Sequence, residues 1–260
     1  MKVLLTAILS LLLLTSFGQD LTSAENALLK AFKQIDYWRD YQRNGDLVSQ
    51  SDSLEKANVD FQNSLLTFTS RFAATINYPF TKLVEQKLTI ATSADRLFRI
   101  YSWDTWTGGT MHFFRNVYQF KAGGKVYSKV IIDSTAEGDP GVWYSNIYLL
   151  KNNNKTYYLA VNHAIFSTKD SYQGIQAFYI TGHSLNERIK LIKTKTGIRN
   201  SLSFSFNFFS VVDRPERPVK LIVYDSSKKT IRLPVVTEDG TVTNKSIMYR
   251  FTGKYFEHNH

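Results

Sequence analysis

One stretch in the last quarter of the chain, SLSFSFNFF (201–209), restricts the fold more than any other. Leu202, Phe204, Phe206 and Phe208 fall on one side of an extended backbone, with Ser203, Ser205 and Asn207 on the other. Successive side chains of a strand point to opposite faces, so this spacing makes a half-buried β-strand and leaves no apolar stripe for a helix.

The same period governs nearly everything after residue 85. RIYSW, MHFFRNVYQF, KVYSKVII, SNIYLL, KTYYLAV, IQAFYI, IKLI, VKLIVY and IRLPVV are rich in β-branched and aromatic residues and are separated by short polar turns. No helix-length segment lies between them, which excludes parallel β-α-β crossovers and makes neighbours pair antiparallel. Three turns share one chemistry: FKAGGKVY (120–127), LKNNNKTY (150–157) and YDSSKKTI (224–231). Gly and Asn tolerate positive φ, so each predicts a hairpin. Such a recurrence also fits propeller or barrel repeats, but about a dozen strands fall short of the four blades a propeller needs. The fold class expected is mainly β, an antiparallel sandwich or barrel-like curled sheet.

Helices precede it. Thr22 and Glu25 have capping-box spacing, and Leu28, Phe32, Ile35 and Trp38 recur every three or four residues before Gly45. A second helix is expected from about Asp52, with Leu54, Phe61, Leu65, Phe68 and Phe72 as its stripe, ending before Pro79. The two predict an N-terminal α-helical hairpin. The organisation is then a leader over 1–18, the hairpin over 19–80 and an antiparallel β domain over 81–260, forming one unit with the hairpin.

The leader sets the expected compartment. Lys2 precedes an apolar run from Val3 to Leu14, and Ser16 and Gly18 give a small-x-small cleavage pattern before Gln19. That run is shorter than the roughly 18–20 residues a membrane span needs. Export to the periplasm, cell envelope or extracellular space is expected. The chain has no cysteine, which excludes disulfides, thiol nucleophiles and a lipid-modified cysteine. Its charge is lopsided. Residues 20–100 carry ten basic and ten acidic groups, whereas 101–260 carry 21 basic and 12 acidic. An excess of this kind either keeps a surface soluble or prefers an acidic partner such as a glycan or other anionic polymer. The densest basic run, ERIKLIKTKTGIRN, supplies Arg188, Lys190, Lys193, Lys195 and Arg199 as a candidate patch, provided that a bulge or turn brings the two pairs onto one face.

The stretch SWDTWTGGTMHFF (102–114) connects two predicted strands. In one reading Gly108 and Gly109 make the bend with positive φ, Asp104 closes an Asx-type turn, and the tryptophans shield the corner. In the other, a sugar stacks on a tryptophan while Asp104 bonds its hydroxyls. Trp103, Asp104, Trp106 and His112 are accordingly the candidate ligand-binding residues. The order of a leader, a helical hairpin, FRIYSWDTWTGGTMHFF, KTYYLAV and a closing YRFTGKYFE resembles exported proteins of Bacteroidota without an assigned activity. That resemblance implies an envelope or secreted location and no catalytic residues.

Signatures of chemistry are sparse. His112, His163 and His183 are isolated, and there is no HExxH, G-x-S-x-G, P-loop or dinucleotide pattern, so neither a metal site nor a cofactor is expected. A serine triad stays open, since its members need no sequence proximity, and among the carboxylates Asp104, Asp133, Asp170, Glu187 and Asp213 no pair is marked out. DSTAEGDPG (133–141) resembles the front of a calcium loop, yet its twelfth position is Tyr144 where a bidentate glutamate is required. The leading expectation is an exported, non-catalytic binding module. The alternative is a secreted carbohydrate-active hydrolase using Asp104 with a second carboxylate at a defined separation.

Overall fold

The computed structural model describes residues 21–41, 48–131, 139–214 and 219–258. The leader, Gly45 and most of the 133–141 stretch lie outside these residues. Helix α1 covers 21–41 and α2 covers Val48–Arg71. A 3-10 turn at Ala73–Ile76 and a short α3 at Thr81–Glu85 lead into the strands, so the β domain opens on one further helical turn. Glu25 does not close a capping box. It is buried, accepts from Tyr78 Oη (2.9 Å) and receives the Lys82 amide (2.8 Å), capping α3 rather than its own helix. No helix among the described residues is long and apolar enough to cross a membrane.

Three sheets follow. The first has the order β1 (Thr89–Thr92), β2 (Phe98–Asp104), β3 (Phe114–Ala122), β4 (Lys125–Lys129). The second contains β5 (Trp143–Asn152), β6 (Lys155–Ile165), β7 (Asp170–Thr181) and β11 (Ser201–Asn207), in the order β11-β7-β6-β5, with β8 (Ser184–Asn186) beside β7. The third comprises β9 (Ile192–Thr194), β10 (Gly197–Arg199), β12 (Val223–Asp225), β13 (Thr230–Val236), β14 (Val242–Phe251) and β15 (Phe256–His258), in the order β10-β9-β15-β14-β13-β12. All pairings are antiparallel except β15 with β9. Among the described residues no sheet closes on itself, so the fold is a mainly β stack of open sheets.

Side-chain alternation stacks these sheets. Leu28, Phe32 and Ile35 of α1 and Phe61 and Leu65 of α2 bury against Tyr101, Trp103 and Val117 of the first sheet. Its other face sends Phe98, Ile100 and Tyr118 against Ile147, Tyr158 and Phe178 of the second. The opposite face of the second sheet packs Leu159, Val161 and Ile175 on Ile231, Phe251 and Phe256 of the third. The layers are therefore helices, first sheet, second sheet, third sheet. Each fully buried aromatic or aliphatic side chain contributes about 2 kcal/mol of transfer free energy.

The three hairpin turns form as expected, one in each sheet and not as repeats of one unit. Gly123 and Gly124 take φ of 55° and 78°, as a two-residue turn with both central residues left-handed requires. Elsewhere the strand expectations slip. VKLIVY pairs only from Val223, and MHFF stays a loop until Phe114. Phe208 leaves its strand for a 3-10 turn, Phe208–Val211. β14 lies on a stretch, VTNKSIMYRF, whose exposed middle hides the alternation.

Candidate functional site

Three hollows among the described residues meet at the loop between β2 and β3. Trp103, the last inward residue of β2, is 1% exposed and points at the helices. Its indole N–H donates to Asn58 Oδ1 (3.0 Å), and its ring meets Phe61 edge-on at 5.1 Å. Asn58, itself buried, donates to the Thr105 carbonyl (2.9 Å), tying α2 to the loop. Trp103 is thus a core residue, and the ligand-stacking expectation does not hold for it.

Asp104 has two tasks. Oδ1 accepts the Trp106 amide (2.9 Å), which is the Asx-type turn expected, and Oδ2 holds His112 Nδ1 at 2.5 Å. The left-handed residue is Trp106 (φ 58°), not either glycine. A bulky residue there stores strain, which the contact of its ring with the Arg39 guanidinium (4.8 Å) helps to offset. Gly108 is needed for a different reason: a Cβ there would run into the Met111 carbonyl. Gly109 faces open space.

Three hollows share this loop. A groove of 230 Å³ is lined by Asp104 and Trp106 together with Asp36, Arg39 and Glu85. Burial raises the Asp36 carboxyl, with Arg39 (3.0 Å) opposing it. A 720 Å³ cavity between α2 and the first two sheets takes Thr105 and Thr107 from the loop. Some of its polar groups serve each other: Tyr118 Oη donates to Tyr144 Oη (3.3 Å), which donates to Gln176 Oε1 (3.0 Å). Burial pushes both phenols up, Tyr144 to about 12, so both stay protonated.

The third hollow, of 510 Å³, lies on the face of the second sheet that turns toward the third. Thr110 and His112 of the loop form one wall, and Trp143, His163, Phe206 and Val219 form the others. A β-bulge between Tyr144 and Asn146 leaves Ser145 without a cross-strand partner. The extra residue changes which side chains face inward, sending Trp143 to this cavity and Tyr144 to the other. Trp143 pairs directly with His163 and stacks on it, with centroids 4.1 Å apart and planes 17° from parallel. Ser145 Oγ and His163 Nε2 share a hydrogen bond of 2.7 Å. The next residue across the sheet, Gln173, is engaged at both amide atoms: it donates to the Val219 carbonyl and accepts from the Leu221 (3.1 Å) and Ile222 (3.3 Å) amides. His112 is anchored through its amide to the Ile165 carbonyl (3.0 Å), and with Nδ1 committed to Asp104 its Nε2 is the ring nitrogen left for an occupant.

Burial drives the His163 pKa from 6.5 down to about 4, which holds the imidazole neutral. The unfolded chain takes up this proton near pH 6.5 and the folded chain only near pH 4. The resulting stability is complete above pH 6.5 and is lost as the pH falls toward 4, by about 3 kcal/mol. Urea midpoints measured between pH 7 and pH 4 should show this loss in the native chain, and His163→Phe should lack that component. Identical pH slopes in both proteins would contradict it.

The basic run does not form one face. Arg188 and Lys190 lie in an extended connection, Lys193 in β9, Lys195 in the turn and Arg199 in β10. Lys193 is opposite Ile198 and paired with Glu257 (3.2 Å), whereas Arg199 is opposite the buried Ile192 and so points the other way. Among the described residues no three metal-ligating side chains converge. Trp143, Ser145, His163 and Gln173 carried no local signature, because only strand register brings them together; the one trace is the broken alternation in WYSNIYLL. No family model matches the chain, and neither a curated protein nor a solved structure is similar to it.

Proposed function

We propose that this chain is a non-catalytic binding module of the envelope or secreted space. Its ligand is a compact, mainly apolar molecule carrying one hydrogen-bonding group, seated against the Trp143–His163 stack. The 510 Å³ cavity carries this reading: it lies within the roughly 300–1,000 Å³ of small-molecule sites, is walled by aromatic and aliphatic side chains, and offers a few fixed polar atoms. The chemistry beside it is that of binding. An imidazole held near pKa 4 is too weak a base to activate Ser145 at neutral pH, and no carboxylate orients it. Export rests on the leader sequence.

The hydrolase alternative keeps one supporting observation, the presence of Asp36 and Glu85 in the groove that Asp104 lines. Against it, both Asp104 oxygens are engaged and Arg39 neutralises Asp36. Titration with the neutral fluorophore N-phenyl-1-naphthylamine tests the binding reading. Saturable binding should weaken about tenfold in Trp143→Ala, while the melting temperature shows that the variant is folded. Unchanged affinity in that variant would dismiss the site. Turnover of a glycan panel that disappears in Asp36→Asn would replace binding with hydrolysis.

A further inference from the structure

The outer face of the third sheet gathers cations that the sequence scatters. Ile231 and Leu233 of β13 point into the core, so Arg232 and Pro234 point out. Register places Arg232 beside Val223 and Met248, and Pro234 beside Ser246. A groove of 170 Å³ opens there, lined by Arg214, Lys220, Arg232 and Lys245 and by Thr243, Asn244 and Ser246. Among the described residues no carboxylate lines it. Among the described residues none pairs with Lys220, Arg232 or Lys245, although Lys129, Lys193 and Arg115 each have an acidic partner.

We infer that this groove is a subsite for a tetrahedral oxyanion, a sulfate or phosphate ester carried on a sugar. Gathering like charges in a recess costs free energy that a bound anion removes, and a guanidinium matches two oxygens of such a group at once. The hydroxyl and amide side chains beside the cations suit the hydroxyls of the sugar that bears it. Among the described residues no aromatic side chain lines the groove to stack bases, which sets it apart from single-stranded nucleic-acid sites. Its recessed shape suits a branch of a glycan better than the plane of a bilayer. The site is independent of the Trp143–His163 cavity and uses none of the residues Arg188 to Arg199.

The test compares two variants of the whole chain that lose equal charge, Arg232→Gln/Lys245→Gln and Lys193→Gln/Lys195→Gln. Affinity for a sulfated heparin hexasaccharide is measured over a series of salt concentrations, with the desulfated sugar as control. The first variant should lose about tenfold in affinity and lower the salt slope by about two, one for each contact removed. The second should stay within about twofold, and the desulfated sugar should not bind. Equal losses in both variants would reduce the effect to net charge and overturn the site, as would absence of binding to the sulfated sugar. Tighter binding to anionic vesicles or to an oligonucleotide than to the sugar would overturn the glycan assignment. Circular dichroism of both variants confirms that they are folded.

Discussion

Trp103→Ala should destabilise the protein by about 4 kcal/mol, whereas Trp106→Ala, three residues away, should cost about 1 kcal/mol. The difference follows from where the rings lie. Trp103 is sealed between α2 and the first sheet, and its removal leaves a cavity against Phe61 and an unpaired Asn58 carbonyl in the core. Trp106 is half-buried beneath Arg39 and leaves mostly solvent-accessible space behind. Urea unfolding with a shared slope separates the two. Equal costs would mean that Trp103 is not the core residue its contacts describe.

Gln173→Leu should be nearly as damaging, at about 4 kcal/mol, although the two side chains are close in size. Residues 219–222 belong to no strand at that point, yet Val219, Leu221 and Ile222 are buried. One side-chain amide satisfies the Val219 carbonyl and the Leu221 and Ile222 amides. A leucine would strand all three, each costing about 1–3 kcal/mol when it stays dry. Because Val219 walls the apolar cavity, fluorophore binding should fall along with the urea midpoint. A variant as stable as the native chain would show that water or another side chain takes over these groups.

How far the residues foretold this structure depends on the range of the interaction. Leu28, Phe32 and Ile35 repeat at helical spacing because one face of α1 is buried, and FKAGG turns because its glycines take left-handed angles next to one another. Both are local and were legible. The layering was not, because β6 and β7 are buried on both faces, and a strand without a wet side gives no hint of which partner covers which face. Of the four candidates in that loop, Trp103, Asp104, Trp106 and His112, the first is sealed in the core. Trp103 and Trp106 look alike in SWDTW, and only the parity of β2 sends the first inward. His163 looked isolated because its partner Trp143 sits on another strand, and Arg232 and Lys245 are drawn to one groove from strands whose spacing in sequence says nothing of it.

The unpaired serine of β5 has a wider consequence. A strand is a wave of period two, and one extra residue is a half-period dislocation in it. Upstream of Ser145 odd-numbered side chains look toward the third sheet, while downstream the even-numbered ones do, as Trp143 and Leu150 show. The two halves of the strand therefore obey opposite codes. The downstream stretch is locked by the cores on either side; upstream, Tyr144 belongs to the core between the first and second sheets, while Trp143 lines the hollow toward the third. Trp143 lines only the chamber toward the third sheet and Tyr144 only the one toward the first, so residues adjacent in sequence belong to separate walls.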